Sequence, residues 1–316
     1  MFSSSTLKDL AITSLLGFGL FLAGVLLPVL ALPLMFLYSF PTLLFTYERG
    51  ARLGLLSAFL VTFALFAILP PLLPLVYLQT FGLLGVFLGF AAKRIKNVPD
   101  LVLLGIFVSL LCKVSTTVAV FRATGVNLFA PETAEMEKTL LALAGSKLAT
   151  LSSEVLPSFE GDLRRTLDSM ILLIPYSVIF FSALEVVLSL LLSSRVHKRR
   201  TGEPFFVLPP FSSWSFPKNV LFALVMGLVL DLFAQKNPDS RLVKQISVNL
   251  VAVTRTVFVV QGLSVGCFFM EGRGFPKAVK IAVIVITPFV SAVSDLFSIL
   301  GVLDIGFDLR KRMRRG

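Results

Sequence analysis

The chain has 316 residues, of which 56% are hydrophobic and 15% are charged, and its mean hydropathy is +0.91. A soluble domain has about 25% charged residues, so this composition excludes an ordinary soluble protein. The net charge is +11, but the basic residues form short clusters beside apolar runs, which indicates orientation in a membrane and not binding of nucleic acid.

Repeated apolar runs of about 20 residues predict an all-α fold, a polytopic helical membrane protein. A β-barrel is excluded because the apolar residues do not alternate along short strands. We expect about eight transmembrane helices and one amphipathic external helix. Together they form a single integral membrane domain, 1–316, with both termini on the cytoplasmic side.

The first apolar segments follow each other closely. Leu7 to Leu30 is long enough to cross a bilayer, and a cleaved signal peptide is the alternative because small residues occur at Val29-Leu-Ala31. Pro33 to Tyr47 is short and contains Pro41 as well, so it either crosses with a kink or dips and returns. Tyr47 to Gly54 forms a tight charged turn.

The next segments, Leu53 to Leu69 and Leu75 to Ala92, are separated by an uncharged proline-rich turn that is typical of the outer face. Gly85-x-x-x-Gly89 allows a close helix contact, although a glycine-rich span also contains this spacing by chance. The basic cluster from Lys93 to Lys96 then indicates the cytoplasmic side.

Leu101 to Phe121 contains Lys113, which either snorkels to the interface or lines a cavity. Beyond it, residues 123–165 form the only sizeable region outside the apolar segments. Apolar residues from Met136 to Val155 recur there at helical spacing, which predicts an amphipathic helix lying on the membrane or on the mouth of the bundle. This helix is either a passive linker or a gating lid.

Leu167 to Leu192 contains Pro175 and the acid Glu185, and the basic cluster after it again indicates the cytoplasmic side. The stretch 201–217 contains too many prolines for a continuous helix. Its aromatic residues, including the sole tryptophan Trp214, suit a loop at the membrane interface.

Val220 to Phe233, Lys244 to Met270 and Ala278 to Leu303 are the remaining apolar segments, and a basic cytoplasmic tail, 304–316, follows them. An odd number of crossings would place the two flanking basic clusters on opposite sides, against the positive-inside rule. Either the tail breaks this rule or one segment does not cross completely. The candidates for incomplete crossing are the short segment Val220 to Phe233 and the segment Ala278 to Leu303, which Pro288 interrupts.

The second of these three segments, Lys244 to Met270, carries Asn249, Arg255 and Gln261 at a depth where lipid disfavours polar groups. A charge at the bilayer centre costs at least about 2.5–3.5 kcal/mol, so such a side chain faces protein or a wet cavity. One interpretation is a buried ion pair of Arg255 with Glu185 or Asp295 that holds helices in register. The other is a ligand-binding site within the bundle, formed by these residues: Arg255, Asn249, Gln261, Glu185 and Asp295.

Recognisable catalytic chemistry is absent from the sequence. No glycine-rich loop ends in Lys followed by Ser or Thr, so ATP is not bound in the P-loop manner. His197 is the single histidine and lies in a basic run, which excludes a Ser/His/Asp set and a histidine metal cluster. Cys112 and Cys267 lie in apolar segments without metal-site spacing. We therefore expect no catalytic residues, no metal, no cofactor and no enzymatic activity.

Several short motifs resemble the YybS-like family, an uncharacterised bacterial membrane protein family catalogued as a domain of unknown function. They are Asn249, the run Gln261-Gly262-Leu263, and Gly301-Val-Leu-Asp304 leading to Phe307-Asp-Leu-Arg310. The proline-rich stretch from Phe205 to Pro217 is also similar, and the resemblance extends over nearly the whole chain. It implies a multi-pass protein of the bacterial cytoplasmic (inner) membrane.

Residues 1–99 are also similar in layout to the substrate-binding subunits (S-subunits) of energy-coupling-factor vitamin transporters. In those subunits a small-x-x-x-small pair on the first helix docks the coupling subunit. Here Ala11 is followed at that spacing by Leu15, and Gly19-x-x-x-Ala23 lies deeper. The segments after Arg195 also exceed the six-helix layout of those subunits.

These observations predict a transport-related membrane protein that contacts the lipid bilayer and binds a small polar or anionic ligand within its helix bundle. The alternative is a non-transporting scaffold that binds a cytoplasmic partner through the basic tail and the aromatic loop. Near the surface, each basic residue of the tail also attracts anionic lipid by about 1 kcal/mol. Nucleic acid is not expected as a partner.

Overall fold

A computed structural model of the protein describes residues 4–126, 155–237 and 240–313. The regular elements within these ranges are all helical, which confirms the all-α prediction. The chain divides into two compact units, unit 1 from Met1–Leu167 with Ser177–Val207 and unit 2 from Asp168–Tyr176 with Leu208–Gly316. The single membrane domain stays a prediction, and most of the predicted external region, 127–154, lies outside the described residues.

Unit 1 is built from short and long helices in close succession. In chain order they are α1 (Ser4–Leu26), α2 (Pro28–Met35), α3 (Phe40–Arg49), α4 (Ala51–Phe66), α5 (Leu72–Val76), a π-helical turn (Tyr77–Gly82), α6 (Leu83–Arg94) and α7 (Val98–Thr124). Helices α8 (Val155–Leu172) and α9 (Ile174–Thr201) follow, and each of them contributes residues to both units.

Proline and glycine define several helix boundaries in unit 1. Helix α2 begins at Pro28, and Pro41 lies in the first turn of α3, where the missing N–H costs no hydrogen bond. Gly50 separates α3 from α4 with a φ of 97°, a left-handed conformation that residues with a Cβ rarely adopt. This geometry confirms the tight turn predicted between Tyr47 and Gly54.

The backbones of α6 and α3 are in direct contact. A Cβ on Gly85 would overlap the carbonyl oxygen of Ser39, and a Cβ on Gly89 would overlap that of Leu43. The spacing Gly85-x-x-x-Gly89 therefore serves the close helix contact that it predicted.

An apolar and aromatic cluster fills the adjacent interior of unit 1. Its buried members are Phe21, Tyr38, Val61, Leu65, Tyr77 and Phe81. The ring of Phe21 packs edge-on against both tyrosines, with centroid separations of 5.2 and 5.1 Å. Such edge-to-face contacts add about 0.5–1.5 kcal/mol each to the apolar burial.

Unit 2 is organised around one long helix. Its helices are α10 (Asn219–Lys236), α11 (Arg241–Gly272), α12 (Lys277–Ile286), α13 (Ser291–Phe307) and α14 (Leu309–Met313). Helix α11 packs against both α10 and α13. At the α11–α13 crossing, a Cβ on Gly262 would overlap the carbonyl of Phe297, and a Cβ on Gly301 would overlap that of Phe258.

Within the described residues, 7 helices are long and apolar enough to cross a membrane, or up to 8 if a bent pair counts as one span. This agrees with the prediction of about eight transmembrane helices. The bent pair consists of residues 277–289 and α13, which meet at 108°. It contains Pro288, so the last predicted segment is the one that is broken in the structure. The other candidate for incomplete crossing, Asn219–Lys236, is long and apolar enough to cross a membrane.

Candidate functional site

A buried ion pair lies in the interior of unit 1. Glu185 on α9 is 0% exposed, and its carboxylate lies 2.5 Å from the ammonium of Lys113 on α7. The same carboxylate accepts hydrogen bonds from Ser109 at 3.1 Å and from Ser39 at 3.5 Å. A buried ion pair is tolerated only when further hydrogen bonds satisfy its remaining acceptors, and these two hydroxyls provide them. Lys113 therefore turns inward to Glu185 and does not snorkel to the interface.

Hydroxyl groups extend this polar interior along α9. The hydroxyl of Ser189 lies 3.0 Å from that of Ser39 and donates to the Phe36 carbonyl at 3.1 Å. Ser193 donates to the Phe40 carbonyl at 3.4 Å. Glu185, Ser189 and Ser193 recur at intervals of four residues, which places them on one face of the helix.

We refer to this set of buried groups as the polar seam, and its members are Ser39, Ser109, Lys113, Glu185, Ser189 and Ser193. The five residues other than Lys113 are each 0% exposed. Lys113 has a side chain that is 14% exposed. The seam thus places a carboxylate, an ammonium and several hydroxyls inside a bundle of apolar helices.

An open cleft marks the basic end of unit 1, one turn of α9 beyond Ser193. Glu48 accepts there from Arg200 at 3.0 Å, and its other carboxylate oxygen lies 3.0 Å from Nδ1 of His197. The ring of Tyr47 stacks on Phe205 at 4.0 Å and meets the imidazole edge-on. The cleft is lined by Asp9, Glu48, Arg49, His197, Arg200 and Thr201.

In unit 2, Asn249 bridges the break between α8 and α9. Its amide nitrogen donates to the Leu172 carbonyl at 2.6 Å, and its amide oxygen accepts from the Tyr176 backbone N–H at 2.6 Å. Pro175 has no N–H and interrupts the helix at this place. Because unpaired backbone groups are costly in lipid, the Asn249 side chain replaces the missing backbone partners.

A second polar network of unit 2 holds the loop before α10. Gln261 accepts from the Phe216 N–H at 3.0 Å and donates to Asp304 at 2.5 Å. Arg310 binds Asp304 at 2.9 Å and donates to the Trp214 carbonyl at 2.8 Å.

Two further hydrogen bonds complete this network. Arg310 also donates to the Ser212 carbonyl at 3.0 Å, and Ser264 donates to the Trp214 carbonyl at 2.9 Å. We name Gln261, Ser264, Asp304 and Arg310 the loop clamp. The predicted interfacial loop is thus tied to α11 and α14, and Asp304 of α13 holds Gln261 and Arg310 in place. The motif pieces Gln-Gly-Leu and Gly-x-x-Asp meet there.

Arg255 forms an ion pair with Asp295, as one of the two sequence-based interpretations proposed. Their side chains are 50% and 57% exposed, however, so the pair lies on the surface of the helices and not in a buried pocket. The other predicted acid, Glu185, pairs with Lys113 instead. Ligand binding by the five predicted residues stays a prediction.

The predicted polar residues of α11 do not converge. Asn249 binds backbone at the α8–α9 break, Arg255 binds Asp295, and Gln261 belongs to the loop clamp. Within the described parts of the chain, no group of at least 3 His, Cys, Asp or Glu side chains could hold a metal ion. Sequence reasoning missed the serines of the seam, although the four-residue spacing of Ser189 and Ser193 from Glu185 is visible in the sequence.

Comparison with known proteins places the chain in a family. The model of a family described as predicted membrane protein (DUF2232) matches residues 15–305. The chain belongs to this family. It is also similar to the uncharacterized protein YybS of Bacillus subtilis (strain 168), with 24% identity over 294 residues that cover 92% of each chain.

These findings confirm the resemblance to the YybS-like family and the assignment as a multi-pass membrane protein. No solved structure matches the chain. The similarity of residues 1–99 to substrate-binding subunits of energy-coupling-factor transporters is not confirmed by the comparisons.

Proposed function

We propose that the protein is a transport-related component of the bacterial cytoplasmic membrane that binds a small polar or anionic ligand at the polar seam of unit 1. The observation that carries this proposal is the fully buried Glu185 beside Lys113. Ionisable groups within membrane helices are costly, and they commonly line ion or substrate pathways. Stability alone does not account for them, because well-packed apolar residues in place of a buried ion pair are often equally or more stabilising.

The hydroxyl of Ser182 provides a second argument. It lies one turn of α9 before Glu185, is 0% exposed, and has no hydrogen-bond partner within the described ranges. Buried hydroxyls in proteins normally have partners, since an unmade hydrogen bond costs about 1–3 kcal/mol. A polar ligand at the seam supplies such a partner.

A thermal-stability screen tests the proposal. The purified full-length protein in lipid nanodiscs is heated with single members of a panel containing amino acids, carboxylic acids, nucleobases, sugars, vitamins and inorganic salts. A specific ligand at 100 times its Kd stabilises the folded state by about 2.7 kcal/mol, which raises the unfolding temperature. We expect at least one compound to give this shift.

Matched double variants locate the binding site. Lys113→Gln/Glu185→Gln removes both charges of the seam together, so neither is left unpaired, and we expect it to abolish the ligand-dependent shift. Arg255→Leu/Asp295→Leu removes the exposed pair of unit 2 and is expected to retain the shift. The proposal is wrong if no compound stabilises the protein, or if the seam variant still responds.

The loop clamp favours the alternative function of a membrane scaffold. Arg310, Gln261 and Ser264 fix the proline-rich loop, so its aromatic side chains form a defined surface for a cytoplasmic partner. Arg310 belongs to the clamp, and a test of the basic tail must therefore leave it in place. Removal of residues 311–316 should abolish co-purification of a partner with the full chain if the tail binds one, and unchanged co-purification would reject this alternative.

A further inference from the structure

One face of α9 joins the buried ion pair to the open cleft. Glu185, Ser189, Ser193 and His197 follow each other at intervals of four residues, so they form one stripe that winds by about 120° around the helix from the first to the last. At a rise of 1.5 Å per residue they span about 18 Å, which is more than half of the roughly 30 Å hydrocarbon thickness. A single helix face therefore leads from the membrane interior to the basic end of unit 1.

The groups along this face are able to exchange protons. The Glu185 carboxylate accepts from the Ser39 hydroxyl, which lies 3.0 Å from that of Ser189. A hydroxyl both donates and accepts, so it passes a proton on by accepting one and releasing another. Ser193, one turn further, donates to the Phe40 carbonyl, so the proposed path requires a bridging water molecule between Ser189 and Ser193.

The last group of the series is the only histidine of the chain. His197 and Glu48 have side chains that are each 16% exposed, and both line the open cleft. An imidazole accepts a proton at one ring nitrogen and releases one from the other, which is why histidine serves in proton shuttles. The open cleft thus begins one helical turn from Ser193, the outermost serine of the seam.

Within the described ranges, charged and titratable groups from several helices surround the two ends of this stripe. From α7, Lys113 pairs with Glu185, and the Cys112 thiol is close enough to interact with it electrostatically. At the other end, α3 contributes Glu48 together with Tyr47. Further charged groups near that end include Asp9, Arg49, Lys93 and Arg200. Helix α9 itself adds Arg195, Lys198 and Arg199 beside His197.

From this geometry we propose that Glu185 is a proton-binding site and that protons reach it from the cleft along His197, Ser193, Ser189 and Ser39. The proposal rests on the proposed function and identifies the proton as the coupling ion of the polar seam. A proton taken from solvent at the imidazole ends on a carboxylate oxygen of Glu185, where one O–H bond forms. The seam then changes from a neutral ion pair to a neutral acid beside a positive Lys113.

Infrared spectroscopy of the full-length protein in lipid bilayers tests this proposal. A change from alkaline to acidic buffer should produce the carbonyl absorption of a buried carboxylic acid, and Glu185→Gln should lack this band. Transfer into D2O shifts the band as the carboxyl proton exchanges, so the rate of the shift measures access to Glu185. Protonation of any group other than Glu185 leaves the band in the Glu185→Gln variant and overturns the proposal.

Serine variants test the path. We expect Ser189→Ala/Ser193→Ala to slow the exchange of the carboxyl proton by about tenfold or more, which corresponds to a barrier increase of about 1.4 kcal/mol. Ser189→Thr/Ser193→Thr keeps both hydroxyls and should retain the wild-type rate. Ser115→Ala removes an exposed hydroxyl of α7 and serves as the matched control.

The outcomes separate this proposal from the proposed function. Equal exchange rates in the alanine and threonine variants overturn the path, and absence of the carboxylic acid band at every pH overturns the proton site. A ligand-dependent thermal shift without the band leaves the ligand site valid and rejects the proton. The carboxylic acid band without any ligand-dependent thermal shift supports the proton site and rejects the ligand site.

Discussion

Unit 1 and unit 2 each contain an ion pair on apolar helices, but the two pairs differ in burial. The side chains of Lys113 and Glu185 in unit 1 are 14% and 0% exposed, whereas those of Arg255 and Asp295 in unit 2 are 50% and 57% exposed. Lys113 and Arg255 both lie near the middle of their helices, so the position of the cation along its helix does not distinguish the two pairs. The difference arises from the helix face on which each side chain lies, and it predicts different consequences of mutation.

We expect the largest effect when one of the two side chains of the buried pair is replaced. Lys113→Met leaves the Glu185 carboxylate buried without a cation, so we expect a loss of about 3–5 kcal/mol in the free energy of unfolding. Denaturant-induced unfolding in detergent measures this loss. The double variant Lys113→Met/Glu185→Leu should recover most of the lost stability. A double variant as unstable as Lys113→Met would contradict the distinction between the buried and the exposed pair.

The loop clamp should give the next largest effect. Arg310→Ala leaves Asp304, which is 4% exposed, without its cation and removes one of the two donors to the Trp214 carbonyl. We expect a loss of about 1.5–3 kcal/mol in the free energy of unfolding, the range for hydrogen bonds to charged groups. Because Trp214 is the only tryptophan, a change in its emission reports the release of the loop. Lys311→Ala, at an 80% exposed side chain next to Arg310, should leave both quantities unchanged.

Substitutions at the α11–α13 crossing should follow in size. A methyl group on Gly301 would overlap the Phe258 carbonyl, so we expect Gly301→Ala to destabilise unit 2 by about 1–3 kcal/mol through helix displacement. Gly306 on the same helix has open space around it. Gly306→Ala should therefore stabilise by up to about 1 kcal/mol, and thermal unfolding of the two variants checks the difference. Equal shifts of the unfolding temperature in the two variants would refute the close contact between α11 and α13.

The smallest effect is expected at the exposed pair. Arg255→Leu should change the free energy of unfolding by about 1 kcal/mol or less, because exposed pairs contribute little. Unfolding curves of Arg255→Leu and Lys113→Met, recorded under identical conditions, compare the two units directly. A loss at Arg255 as large as that at Lys113 would mean that the exposed pair is as important to its unit as the buried one.

Much of the fold follows from local sequence. Apolar runs predicted the helices, and glycine or proline predicted the breaks at Gly50 and Pro288. The break at Pro28 lies inside the predicted segment Leu7 to Leu30 and was not predicted. These features are local because a proline removes a backbone donor wherever the chain places it. The partners of the polar side chains were predicted less well. Asp295 was among the acids expected for Arg255, whereas Lys113 was not considered as the cation of Glu185.

The sequence by itself determined that this protein is an α-helical membrane protein, because hydrocarbon requires every backbone group to be paired within long apolar helices. It also identified Gln261 and Asp304 as parts of recognisable motifs. Only the tertiary structure showed that these residues meet in one clamp and that Glu185, not Arg255, is the buried charge. Helix rotation and packing decide which face of each helix is enclosed, and these depend on contacts between segments far apart in the chain.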